Sequence, residues 1–247
     1  ETRNRTLQLT KKLSIAEFSA SNSQVMLLAV RSDEELAMTF KAQKLLDEKA
    51  CKASSKLRVP IAASVRHVHL RKETIEQLFG EGVKLTQEKE LSQPGQFLAD
   101  QTVTLVGPED SIKEVSIVGP PREDDQVEIS QTDEFTLGVD APIRASGEIG
   151  HTPGIILCGP EGKVTLSQGV ICPLRHIHMS PEDAKRFHVN DGQTVQVEVI
   201  SSERGLVFRD VLIRVSPNYR LEMHVDTDEA NAAGISDGGE GRILAQF

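Results

Sequence analysis

The stretch Leu174-Arg175-His176-Ile177-His178-Met179 has a second copy upstream, Val65-Arg66-His67-Val68-His69-Leu70. Both read apolar, Arg, His, β-branched, His, apolar. The chain has seven histidines, and four of them sit in these two copies. Side chains of an extended strand alternate between its faces, so H-x-H on a strand aims both imidazoles one way. Val68 and Ile177 favour that extended state. Two imidazoles facing one way are a ready pair of metal ligands. A single copy is more simply read as an ordinary pair of surface or core histidines. Two copies, each preceded by Arg and followed by the same downstream pattern, reverse that reading.

The surrounding chain sets the class. Its 247 residues fit one large domain or two small ones. Hydrophobic residues make up 38%, with eight Phe, one Tyr and no Trp, so the core is expected to be aliphatic. A net charge of −9 argues against general nucleic-acid binding, which needs a basic face. Cys51, Cys158 and Cys172 are an odd, widely spaced set and suit a reducing compartment better than a disulfide framework. No window is long and apolar enough to span a membrane, and no secretory pattern opens the sequence, so a cytoplasmic location is expected.

The pattern predicts a mainly β fold: two tandem repeated units, each a β-barrel or sandwich with a short helix, plus an N-terminal helical extension. Residues 1–58 form that extension. Ser32 and Glu35 make a capping box for a helix over Glu34–Ala50, read either as an appendage to the main body or as a docking helix. Residues 59–135 form the first barrel, with a short helix from Lys72 to Gly80 and strands at 102–106, 112–118 and 126–130. Residues 136–165, rich in Gly and Pro, connect the halves. Residues 166–247 form the second barrel, with Ser180 capping a helix that starts at Pro181 and strands at 194–200, 206–215 and 221–225. Short strands split by Gly/Pro turns are the signature of barrels and sandwiches.

The repeat extends beyond H-x-H. The copies are 109 residues apart, while Val115, Ile117 and Pro121 match Val211, Ile213 and Pro217 at a separation of 96, a difference of 13 lost from the middle of the second half. At the separation of 96, Glu128 falls opposite His224. Each half therefore offers three donors: His67, His69 and Glu128 in one, His176, His178 and His224 in the other. Three protein ligands leave a position open, as catalytic zinc sites do. The donor types suit Zn²⁺ and also admit Co²⁺, Fe²⁺ or Mn²⁺. A cleft between the halves is the expected location.

Several longer motifs then resemble a known family. Arg66-His67-Val68-His69-Leu70, Leu91-Ser92-Gln93-Pro94-Gly95-Gln96-Phe97, Thr102–Pro108, Gln126–Ser130, Arg175–Met179 and Leu221–Ala233 are similar to the PduL-type phosphate propanoyltransferases over roughly residues 59–236. The resemblance implies two β-barrel domains capped by short helices, with a dinuclear zinc site between them. It implies exchange of a short acyl group, propanoyl and also acetyl, between CoA and phosphate, with CoA as substrate or product and two zinc ions per chain. It places His67, His69 and Glu128 on the metal nearer the CoA sulfur and His176, His178 and His224 on the other. Arg122 resembles the family's phosphate-contacting arginine. Ala63, Ser64, Val65, Lys89 and Asn231 resemble its CoA contacts, and Phe135 a residue reaching CoA in a neighbouring subunit of a homodimer. Ser116 departs from the family, which carries a basic residue there. The first 58 residues also depart, though a short N-terminal helix directs some members into the lumen of bacterial microcompartments through shell or core proteins. The resemblance implies no nucleic-acid or membrane partner.

Such chemistry needs a held phosphate, a polarised carbonyl and a stabilised thiolate, and requires no nucleophilic side chain. Cys158 reads as a buried strand end and Cys172 as only a slightly better candidate. His151 and His188 fall outside the repeat and read as turn histidines. Arg66 and Arg175 are read as support for a carboxylate or CoA phosphates, or as cover for a barrel face. Two rival functions share these residues: a two-metal thioester hydrolase and a non-catalytic metal-binding module.

Overall fold

The computed structural model describes residues 15–17, 28–30, 57–200, 204–236 and 238–244. The chain divides into two units, Glu1–Lys56 and Leu57–Phe247. In the first, strands β1 (Ile15–Glu17) and β2 (Leu28–Val30) pair antiparallel. The helix expected over Glu34–Ala50 lies outside the described residues.

The second unit is mainly β. In chain order it holds β3 (Arg58–Ser64), β4 (His67–His69), α1 (Lys72–Phe79), β5 (Gln87–Glu90), β6 (Phe97–Val106), β7 (Ser111–Gly119), β8 (Gln126–Glu128) and α2 (Gln131–Leu137). Then come β9 (Ile143–Arg144), β10 (Ile155–Cys158), β11 (Lys163–Leu166), β12 (Val170–Pro173), β13 (His176–Met179), α3 (Pro181–Phe187), β14 (Thr194–Val199), β15 (Val207–Val215), β16 (Glu222–Asp226), α4 (Thr227–Ala233) and β17 (Gly239–Ile243). None of the described helices is long and apolar enough to cross a membrane.

Two sheets result. One is a closed barrel in the order β13-β15-β14-β17-β3-β16. The other has nine strands, β11-β10-β6-β7-β4-β8-β12-β9, with β5 on β6. Each wraps its own core. Val68, Leu70, Ile75, Leu105, Ile117 and Leu157 fill the first, and Ile61, Ile177, Val197, Val211, Ile213 and Met223 the second. Both are aliphatic at their centres, as the scarcity of aromatics foretold.

The sheets cross the boundaries drawn from sequence. Strand β3 precedes the first H-x-H but pairs parallel with β16 and antiparallel with β17, inside the barrel of the second half. Strand β12 precedes the second H-x-H but pairs parallel with β8, inside the sheet of the first. The halves thus exchange the strand before each H-x-H. The span 136–165 is more than a connector, since β9, β10 and most of β11 extend the first sheet. Its turn after β10 seats on the end of α1, where a Cβ on Gly159 would lie 2.4 Å from the Leu78 carbonyl oxygen. Local pattern identifies a strand but carries little information about which distant strand it will join.

Three of the four described helices begin with complete capping boxes: Ser130 with Asp133, Ser180 with Asp183, and Asp226 with Glu229. The first and third follow β8 and β16 directly, so each helix starts immediately beyond the third donor of its half.

Candidate metal centre

The two H-x-H strands occupy equivalent places. β4 lies between β7, parallel, and β8, antiparallel; β13 lies between β15, parallel, and β16, antiparallel. Val68 and Ile177 are fully buried in their cores, which forces the flanking imidazoles to the opposite face. In register, His67 faces Glu128 and His176 faces His224. The third donor inferred from spacing is therefore the cross-strand neighbour of the first. Within each trio all donor atoms lie within 4.8 Å of one another. Among the described residues these two trios are the groups suited to holding a metal ion.

The trios also face each other. Glu128 interacts electrostatically with His176 as well as with His67 and His69, and His224 with both Glu128 and His67. The strand exchange accounts for this: each H-x-H leaves one sheet and enters the other at the same crossing. Thr132 donates from its backbone N–H and its hydroxyl to the two carboxylate oxygens of Asp228, each at 2.8 Å. These two residues are themselves 96 apart, so the contact lies on the internal twofold of the repeat.

Outer hydrogen bonds orient the rings. His67 Nδ1 is 2.8 Å from the Val65 carbonyl, His176 Nδ1 is 2.9 Å from that of Leu174, and His69 Nδ1 is 3.2 Å from that of Val118. With Nδ1–H donating, Nε2 is left as a lone-pair donor toward the trio. His178 differs: both of its ring nitrogens are buried without a hydrogen-bond partner, and its ring packs 4.1 Å from that of Tyr219. His224 Nε2 likewise lacks one, although Glu222 Oε2 lies 3.2 Å away in a direction unsuited to a hydrogen bond.

Charge favours neutral rings. Burial pushes His178 down to about 2, His69 to about 3, and His176 and His224 to about 4, with a neighbouring imidazole adding to each. These groups are therefore unprotonated at neutral pH, the state a metal requires. Burial pushes the Glu128 carboxyl up, but His67 and His69 outweigh it and hold the group well below the usual range. Unpartnered buried ring nitrogens and an ionised carboxylate fit a divalent cation in each trio. Without one, those nitrogens carry an uncompensated desolvation cost.

Arg122 is half-buried beside this centre. Its backbone N–H donates to Leu70 O at 2.9 Å and its Nη1 to Ser146 Oγ at 3.4 Å. Ser64 Oγ lies 3.4 Å from His224 Nδ1, and Ala63 pairs in register with Val225. Val65 is exposed, and its carbonyl holds His67. Lys89 is exposed on β5 and Asn231 on α4, while Phe135 is 82% exposed on α2. Ser116 is the register partner of His67.

Other expectations shift. Arg66 Nε and Nη2 grip Asp133 at 2.9 and 2.7 Å, and Arg175 Nη1 grips Glu229 at 2.5 Å. Both arginines thus brace the capping carboxylate of the helix beyond the third donor. Cys158 is half-buried rather than buried. Cys172 is buried against Asp226, and burial with that carboxylate pushes its thiol up to about 12, which makes it a poor nucleophile. His151 and His188 sit exposed in left-handed turn conformations.

Four residues escaped the sequence reading. Gln126 is buried and donates to Glu128 Oε1 at 2.6 Å, while its own oxygen accepts from Gly147 N at 2.8 Å. Ser146, in the supposed connector, accepts from Gln126 at 2.8 Å. Arg214 is the register partner of His178 and bears electrostatically on Arg122, His176 and His178. Tyr219 is the fourth. The position of Gln126, two residues before Glu128 on one strand, was the available signal.

Comparison with known proteins agrees with this arrangement. A family model described as phosphate propanoyltransferase matches residues 60–236. A phosphate propanoyltransferase of Thermotoga maritima is 53% identical over 178 residues, covering 72% of this chain and 85% of that protein. One of Salmonella typhimurium is 49% identical over 205 residues, 83% and 94% of the two chains, and one of Listeria monocytogenes is 46% identical over 200 residues, 81% and 93%. With 85–94% of these relatives' lengths covered and a matched region spanning both histidine trios, the chain belongs to the phosphate propanoyltransferase family of acyltransferases.

Proposed function

We propose that this chain interconverts a short acyl-CoA and phosphate with acyl phosphate and CoA at a dinuclear zinc centre between its halves, acting on propanoyl-CoA and also acetyl-CoA. The observation that supports this reading is the pair of facing trios, with three buried ring nitrogens that have no hydrogen-bond partner, beside a half-buried arginine. His67, His69 and Glu128 would hold one ion, and His176, His178 and His224 the other. When bound, such ions supply Lewis acidity to the thioester carbonyl and to the departing thiolate.

The chain's own residues do the rest. Arg122 holds the phosphate nucleophile through its planar fork. Its desolvation strengthens that contact, because charge pairs interact more strongly where water is excluded. A phosphate oxygen forms the new bond to the acyl carbon as the carbon–sulfur bond breaks, and the thiolate leaves with the electron pair. Neither cysteine takes part. Positioning of phosphate beside the carbonyl supplies several of the ~8–23 kcal/mol typical of enzymes. Ala63, Ser64, Val65, Lys89 and Asn231 line the path of CoA, and exposed Phe135 reaches the CoA of a second copy in a homodimer. The same reading places the enzyme in the cytoplasm or a microcompartment lumen, with residues 1–58 docking to shell or core proteins.

Metal analysis of the purified protein, joined to a CoA-release assay, tests this. Two zinc ions per chain and CoA release that requires phosphate and yields acyl phosphate are expected. Release without phosphate would indicate a hydrolase, and retained zinc with no thioester turnover a binding module.

A further inference from the structure

The motif Leu91-Ser92-Gln93-Pro94-Gly95-Gln96-Phe97 has no part in the chemistry so far. It joins β5 to β6 in the first half, yet its side chains reach into the second. Gln93 is 3% exposed, and its amide reaches across to the other half: Nε2 donates to Arg220 O at 3.0 Å and to Glu222 Oε2 at 3.5 Å, and Oε1 accepts from Arg220 N at 3.2 Å. Ser92 Oγ donates to Glu222 Oε2. The loop is itself closed by a Gln96 N–H to Gln93 O hydrogen bond of 3.1 Å, with Gly95 at φ +77°.

The segment so gripped carries the supports of the second trio. Tyr219, adjacent to Arg220, packs on His178, the ring with no hydrogen bond at either nitrogen. Glu222 is the register partner of His178 and lies beside His224. In the first half the corresponding turn is secured from within: Asp125 accepts from Arg71 N and Nε at 2.8 and 2.9 Å and from Thr74 Oγ1 at 2.7 Å. Among the described residues, the second trio alone is thus propped by a loop of the other half.

We infer that Gln93, with Ser92, is a positioning residue of the His176–His178–His224 site, a latch from the first half that fixes the Tyr219–Glu222 segment and through it the ring of His178. This inference rests on the metal-centre reading above. A ring held only by packing loses its direction when the packing partner moves, and outer-shell losses of this kind typically weaken a metal site by about 10–100-fold.

The test uses Gln93→Met, which keeps the volume and removes all three side-chain hydrogen bonds, and Gln93→Ala. Each is combined with His67→Ala, which leaves only the second site, and with His178→Ala, which leaves only the first. Cobalt titration is the readout. Affinity is expected to fall about 10–100-fold in the His67→Ala background and to stay within about twofold in the His178→Ala background. Equal losses in both backgrounds would show a general folding role and overturn the proposal, as would no loss in either. Should the parent protein bind no cation, the metal reading fails by itself. The latch is then judged on the metal-free protein, by the ring-current shift that Tyr219 imposes on the His178 ring protons. That shift is expected to shrink in Gln93→Met, and an unchanged shift would sink the latch.

Discussion

The two trios share a scaffold and differ in what completes them. In the first half the third donor is a carboxylate, braced by Gln126 of its own strand and by Ser146 in the turn after β9. In the second it is an imidazole, and the support comes from Tyr219 and from Gln93 of the other half. Duplication therefore supplied the geometry, and divergence set the charge. A cation held by two imidazoles and a carboxylate keeps one positive charge; one held by three imidazoles keeps two. On charge alone a cation in the second site would be the stronger Lewis acid.

The comparison breaks most sharply if either trio can be dispensed with. His69→Ala and His178→Ala are each expected to remove one cation and to lower turnover about 10³-fold, the equivalent of the several kcal/mol a Lewis acid supplies. Metal content and CoA-release rates measured together check this; full turnover in either variant would dismiss that site. A smaller effect is expected of Glu128→His, which gives the first trio the donors of the second. Both cations should remain bound while phosphate-dependent turnover falls about 10–100-fold, and unchanged rates would mean that the difference in charge is idle. Gln126→Ala should weaken only the first cation, by about tenfold, as seen in a titration of the His178→Ala background.

Acid separates the halves in another way. His176, His178 and His224 in the second trio and His69 in the first have native values of about 4, 2, 4 and 3, below the 6.5 of an unfolded histidine. Between those values the unfolded chain binds more protons, so stability is full above about pH 6.5 and is lost as pH falls toward 4. The melting temperature of the metal-free protein should drop through that window, and it should drop less in His178→Ala. A flat profile would show that the rings are not buried as neutral bases. The smallest effect is expected at the rim of the barrel. Arg58 pairs with Glu240 where both side chains are about half exposed, so Arg58→Ala should change stability by no more than about 1 kcal/mol in urea unfolding and leave both cations in place.

Much of this was legible in the residues. Period-two alternation put the four H-x-H imidazoles on strand faces, and the spacings of 109 and 96 named Glu128 and His224 as partners. Those are local and repeat-level signals, and β pairing turned them into register neighbours. The N-cap at Ser180 was equally plain, though not its partner Asp183, whereas the capping boxes at Ser130 and Asp226 were passed over because no periodic apolar run follows them. The arginines before each H-x-H were visible, but their partners, Asp133 and Glu229, lie 67 and 54 residues away along the chain.

By itself the amino-acid order determined that the chain is a doubled β structure with an aliphatic core and two sets of three donors, because side-chain alternation and repeat spacing are written in one dimension. Only the tertiary structure decided that β3 and β12 change places, that the two trios consequently meet at one crossing, and that Gln93 props a site in the opposite half. Strand pairing between distant segments is chosen by the fit of whole sheets, and no local stretch contains that choice.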